Sequence, residues 1–196
     1  MLLASCGPKT LVLPEEPVDR AATCGAVAAA SGRLATGVAA PLPLEAIGKV
    51  LHYPMLAGSA GDSFSTDTAT QVQDRMAELQ DSIGEGKWQE LIPACQAAFP
   101  ATAVDEVILP ADTRTARLGC DELGDFLRSA LKVQEEYAKE LGEYRRLSNE
   151  FERRAGGRSS GSSRAAAKNE QDKALATMVK AGPPVAVMRQ CLKRFG

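Results

Sequence analysis

The sequence predicts an all-α fold, a helical bundle assembled from two repeated, disulfide-closed helical units. Three observations carry that expectation. Of the 196 residues, 44% are apolar and only 5% aromatic, and alanine dominates the apolar set. That balance suits closely packed helices better than sheets built on aromatic and β-branched side chains. Apolar residues recur three and four apart through much of the chain, the period of a helix face. Finally, Cys24 and Cys95 are separated by 71 residues, and so are Cys120 and Cys191.

A shift of 96 residues superposes both cysteine pairs without a gap. The same shift lays Leu79 on Leu175, Ile83 on Val179, Gly86 on Gly182 and Phe99 on Phe195, so both halves end in the pattern G-x8-C-x3-F. Self-similarity at a constant offset marks a repeat architecture. The expected organisation is a tether over 1–17, a helical unit over 18–100, and a second over 101–196 that contains a flexible Gly/Ser loop at 156–163. Four cysteines permit three pairings, of which Cys24 with Cys95 and Cys120 with Cys191 is the simplest under a duplication.

The first element is the amino-terminal Met1-Leu2-Leu3-Ala4-Ser5-Cys6-Gly7. It resembles the end of a bacterial lipoprotein signal, whose lipobox places Leu and small residues before an invariant Cys. The match covers seven residues. It departs from the family in length, because such signals carry a basic segment and an apolar run of roughly 7–15 residues, and only five residues precede Cys6 here. A misplaced start codon or a trimmed chain would explain the difference. The resemblance implies export, a diacylglyceryl thioether on Cys6, and a periplasmic protein anchored to a membrane by its lipid; it implies nothing about the fold. Gly7 to Pro17 reads as an extended tether too rich in proline to be helical.

Asp19 is the expected cap of a first helix that ends near Thr36 and Gly37. Pro41 and Pro43 interrupt, and Leu44 to Tyr53 form a short helix stopped by Pro54. A Gly/Ser loop covers 57–66. Thr66 or Asp67 opens a third helix, with Val72, Met76, Leu79 and Ile83 at helical spacing before Gly84 and Gly86 close it. Trp88 to Phe99 make a last helix of this half, restarted at Pro93. Val104 to Leu109 is the one passable strand, and without a partner it reads as a linker. From near Asp112, positions Cys120, Leu123, Leu127, Ala130, Gln134, Tyr137, Leu141, Tyr144, Ser148 and Phe151 step by three and four. They draw one seam down a single helix of about 40 residues, the spine of the bundle. A helix from Arg164 to Lys180, the break Gly182-Pro183-Pro184 and a final helix carrying Cys191 to Phe195 complete the chain.

No stretch reaches the roughly 20 apolar residues of a spanning helix, so membrane contact is expected through the lipid alone. A formal charge of −2 supplies no argument for nucleic acid. The four cysteines lie at least 25 residues apart with a single histidine in the chain, which is not the close-paired pattern of a zinc site. No C-x-x-C, phosphate loop, nucleophile elbow or H-E-x-x-H occurs. Catalytic residues, metals and cofactors are therefore not expected.

The weak candidates for a ligand or partner surface are His52, Trp88, Tyr137 and Tyr144, the aromatic and near-neutral groups able to line a space between helices. A basic run, Arg145, Arg146, Arg153, Arg154, Arg158, Arg164 and Lys168, could meet anionic head groups, although a solvated face produces the same pattern. The expected function is a non-enzymatic structural or protein-interaction role, with a protein partner on the helix of residues 112–155. The alternative is a binding module that holds a small apolar or amphipathic ligand between the units.

Overall fold

The computed structural model describes residues 11–37, 40–154 and 164–196. Among these the fold is all-α, with eight α-helices, three 3-10 turns and no strand. Helix α1 spans Pro17–Thr36, α2 Leu44–Gly58 and α3 Thr66–Glu85, and a 3-10 turn at Trp88–Leu91 leads into α4, Ile92–Ala98. After a 3-10 turn at Pro100–Ala103 and an extended segment come α5, Thr113–Leu131, a 3-10 turn at Glu135–Tyr137, and α6, Ala138–Arg154. Helices α7, Arg164–Ala181, and α8, Pro184–Phe195, end the chain.

Local chemistry sets the helix ends. Pro17 takes the first helical position of α1, where its missing N–H is no loss, so the cap falls on Glu16 and not Asp19. The Glu16 carboxylate accepts from the Asp19 amide at 2.7 Å, and Asp112 accepts from the Thr115 amide at 2.7 Å to cap α5. Asp19 is left to pair with Arg75 of α3 at 2.7 Å. Ser65 caps α3 by accepting from the Thr68 amide.

Pro54 does not stop α2. It withdraws the N–H that would reach the Val50 carbonyl, a cost of about 3 kcal/mol in a helix interior. The same turn buries Tyr53 and Met55, and full burial of a side chain like Met55 returns about 1.5–3 kcal/mol. Tyr53 enters one core with Cys24, Trp88 and Leu91, while Met55 enters another with Leu123, Leu127, Met178 and Met188. Helix α2 thus serves both halves, and it packs on α1 and α3 as well as on α7 and α8.

The single long helix expected from residue 112 onward is a hairpin. Helix α5 ends at Leu131 and α6 returns alongside it, so that Gly124 faces Tyr144 and the Ser148 hydroxyl donates to Asp125 at 3.5 Å. A straight helix of 40 residues would be about 60 Å long, twice a small domain. Folded in two, Leu123, Leu127, Tyr144, Leu147 and Phe151 share one core. The seam gives way at Ala130, which is exposed, and Leu131 is buried in its place.

Leu11 and Leu13, assigned by the sequence to the tether, pack beside Ile83 and Trp88. Leu11 lies so close to Gly86 that a Cβ there would stand 2.7 Å from its Cδ1; Val107 lies likewise over Gly182, at 2.8 Å from its Cγ2. Adding 96 to a residue number carries Leu11 onto Val107, and carries α1, α2 and α3 onto α5, α6 and α7 with ends agreeing within two residues.

Candidate functional site

Cys6 and the loop 156–163 lie outside the described residues. The other four cysteines form two buried bridges. Cys24 is joined to Cys95 and Cys120 to Cys191, with Cα separations of 5.4 and 5.8 Å. The first ties α1 to α4 and the second α5 to α8. Such bridges persist in oxidising compartments, so they point to an exported environment. No helix among the described residues is long and apolar enough to cross a membrane.

The candidate contact residues do not converge. Trp88 sits in the core with Ile83 and Leu91, and Tyr144 in the other core against Leu147 and Met188. The buried Tyr137 hydroxyl donates to the Leu42 carbonyl. His52 is wholly buried, and its Nε2 lies 2.8 Å from the Val179 carbonyl of α7. Each of the four is turned inward, so none presents a surface to a partner. Burial pushes the Tyr144 hydroxyl up to about 12 and holds the His52 imidazole down at about 4.

The carboxyls of Asp121 and Glu122 on α5 are raised, first by burial and then by each other's neighbours: Asp125 acts on both, and Asp121 on Glu122. No group of three or more His, Cys, Asp or Glu among the described residues is arranged to hold a metal. The basic run is partly neutralised within its own helices. Arg146 pairs with Glu143 at 3.6 Å, Arg153 with Glu150 and Lys168 with Asp172; Arg158 lies outside the described residues.

Two of the surface clefts are lined by more than one helix of the described residues. One, of about 750 Å³, lies between α6 and α8 over Leu147, Leu192 and Phe195. The other, of about 580 Å³, lies between α1, α2 and α4, with Thr102 to Asp105 and Pro183 on its far side. The second joins the halves of the molecule and carries Lys49, Tyr53 and Asp105, none of which the sequence singles out. Leu11-Val12-Leu13-Pro14 and Val107-Ile108-Leu109-Pro110 are similar apolar segments 96 residues apart. No protein family, curated protein or solved structure matches the chain.

Proposed function

We propose that this chain is a non-enzymatic protein of the bacterial cell envelope, exported, anchored by a lipid on Cys6, with a structural or protein-interaction role. The observation that carries the reading is the pair of buried bridges, each closing a span of 71 residues within its own half. The polar groups best suited to chemistry are engaged in holding helices together: His52 on Val179, Tyr137 on Leu42, Arg114 on Glu170.

The molecule is built, in this reading, from two copies of one unit made of a strap, three helices and a closing helix. Several features support a duplication at an offset of 96 besides the bridges. The acidic caps Glu16 and Asp112 occupy matching positions. Val12 and Ile108 are matching strap residues, and both are exposed, at 82% and 77%. Phe99 and Phe195 each take an edge-to-face aromatic partner from the second helix of their unit, Tyr53 and Phe151. With the seam of 112–155 turned inward, a protein partner is left the charged outer face of α6 and the exposed strap residues Val12 and Ile108.

Mass analysis of the protein extracted from its native host tests the function. A diacylglyceryl group on Cys6 with the other four cysteines oxidised is expected; an unmodified Cys6 contradicts the anchor, and reduced cysteines contradict export. A second reading, a binding module, is favoured by the 580 Å³ cleft at the junction of the two halves.

A further inference from the structure

We infer that the seat of α2 on α7 and α8 is an acid-sensitive latch: when His52 takes up a proton, one stripe of α2 leaves the second half of the molecule while each half stays closed by its own disulfide. The stripe is Gly48, His52, Met55 and Ser59, four, three and four residues apart and all buried, a spacing that places them on one face of the helix. Gly48 lies against Val185 of α8, where a Cβ would stand 2.5 Å from Cγ2. His52 Nε2 meets the Val179 carbonyl at 2.8 Å, and Met55 enters the core of the second half. Beyond the helix end, the Phe64 amide donates to the Asp172 carbonyl of α7 at 3.0 Å, and the Lys180 ammonium donates to the Gly61 carbonyl at 2.7 Å.

Two features make this seat the weak seam of the fold. His52 Nδ1 and Ser59 Oγ are both buried without a hydrogen-bond partner, and a buried polar atom left unpaired weakens the packing around it. The other side of α2 is held independently, because Tyr53 meets Phe99 edge-to-face at 5.3 Å and shares a core with Cys24 and Cys95. Release of the stripe therefore leaves α2 on the first half. Burial and the Val179 carbonyl govern the proton on the ring, and no charged side chain of α1, α2, α3, α7 or α8 adds to them. Among the charged groups on those helices, Glu45 of α2 pairs with Arg189 of α8 and Asp19 of α1 with Arg75 of α3, while Lys180 of α7 is held on Gly61 and Lys49 of α2 is exposed. In the closed seat the imidazole titrates at about 4, against 6.5 in water. The open form binds the proton more tightly, so the ratio of open to closed rises about tenfold between pH 7.5 and 5.5 and about 100-fold by pH 4.

Native-state hydrogen exchange of the oxidised full-length protein, corrected for the intrinsic effect of pH, tests the latch through the Phe64 amide, whose partner lies across the seam. This amide should exchange before those of residues 22–27 in α1 and 123–127 in α5. Its exchange should also respond less to urea, because opening the seam exposes less surface than unfolding does. Protection at Phe64 should fall about tenfold from pH 7.5 to 5.5 and about 100-fold by pH 4. His52→Gln keeps a donor for the Val179 carbonyl and has no proton to gain, so it should retain the early exchange and lose most of the pH dependence. Three outcomes overturn the inference. Phe64 could exchange together with the core amides and with their urea dependence, in which case the halves part only by unfolding. Its protection could be indifferent to pH, in which case the ring stays buried. The pH dependence could survive His52→Gln, in which case another group drives it. The first two need no variant.

Discussion

His52 shows how one side chain can be necessary without being catalytic. The Val179 carbonyl of α7 would normally accept from the amide four residues on, but that residue is Pro183, which has no N–H. The His52 Nε2–H supplies the missing donor at 2.8 Å, and Nδ1 is left buried without a partner. Burial therefore keeps the ring neutral, with a pKa of about 4 against an ordinary 6.5. Because the folded chain binds this proton less tightly than the unfolded chain, stability is complete above pH 6.5, declines as pH falls from 6.5 to 4, and levels off below. The full span is worth about 3 kcal/mol. Urea unfolding at pH 7.5, 5.5 and 4 should show that decline on top of the background from other groups. His52→Leu should flatten this part of the pH dependence and, by orphaning a buried carbonyl, cost about 1–3 kcal/mol at pH 7.5. A variant as stable as the parent at pH 7.5 would contradict this role. The sequence marks His52 as the lone histidine, but its partner lies 127 residues away, beyond any local pattern.

At the level of helices, most of the fold is legible because caps and periodicity are local. The third, seventh and eighth helices fall where Thr66, the Gly/Ser run and the Pro183-Pro184 pair place them. The misjudged elements are those where distant packing overrides a local rule. Pro54 reads as a stop, yet Tyr53 and Met55 on either side of it are needed by two different cores. The seam from Cys120 to Phe151 reads as one helix, because a periodic pattern does not record that the chain reverses in the middle of it. Hydrogen exchange distinguishes the two: amides between Lys132 and Gln134 should exchange early while those of Leu123 to Leu127 stay protected. Uniform protection through residue 134 would restore the continuous helix. The contact between α5 and α7 has its own test. A Cβ on Gly119 would lie 2.3 Å from Met178 Cγ and 2.9 Å from the Ala174 carbonyl, so Gly119→Ala should lower stability by about 1–3 kcal/mol in denaturant unfolding.

On the scale of the whole molecule, the proposed duplication is read in the sequence from the cysteine spacing and the shared G-x8-C-x3-F endings, and the straps add to that proposal. Their four-residue likeness is too short to stand out by sequence, and gains meaning only when Leu11 and Val107 are seen covering Gly86 and Gly182. The cleft between α1, α2 and α4 is not legible at all, because its lining comes from segments far apart in the chain, from Val27 to Pro183. Each bridge closes a loop that the chain-entropy account values at about 4 kcal/mol, so removing either pair by Cys→Ser substitution should cost several kcal/mol in calorimetry, and a negligible loss would contradict the account. Non-reducing peptide mapping of the native protein tests the plan most directly. It should recover one peptide pair joining Cys24 to Cys95 and another joining Cys120 to Cys191; a peptide joining Cys24 to Cys120, or four free thiols, would contradict it.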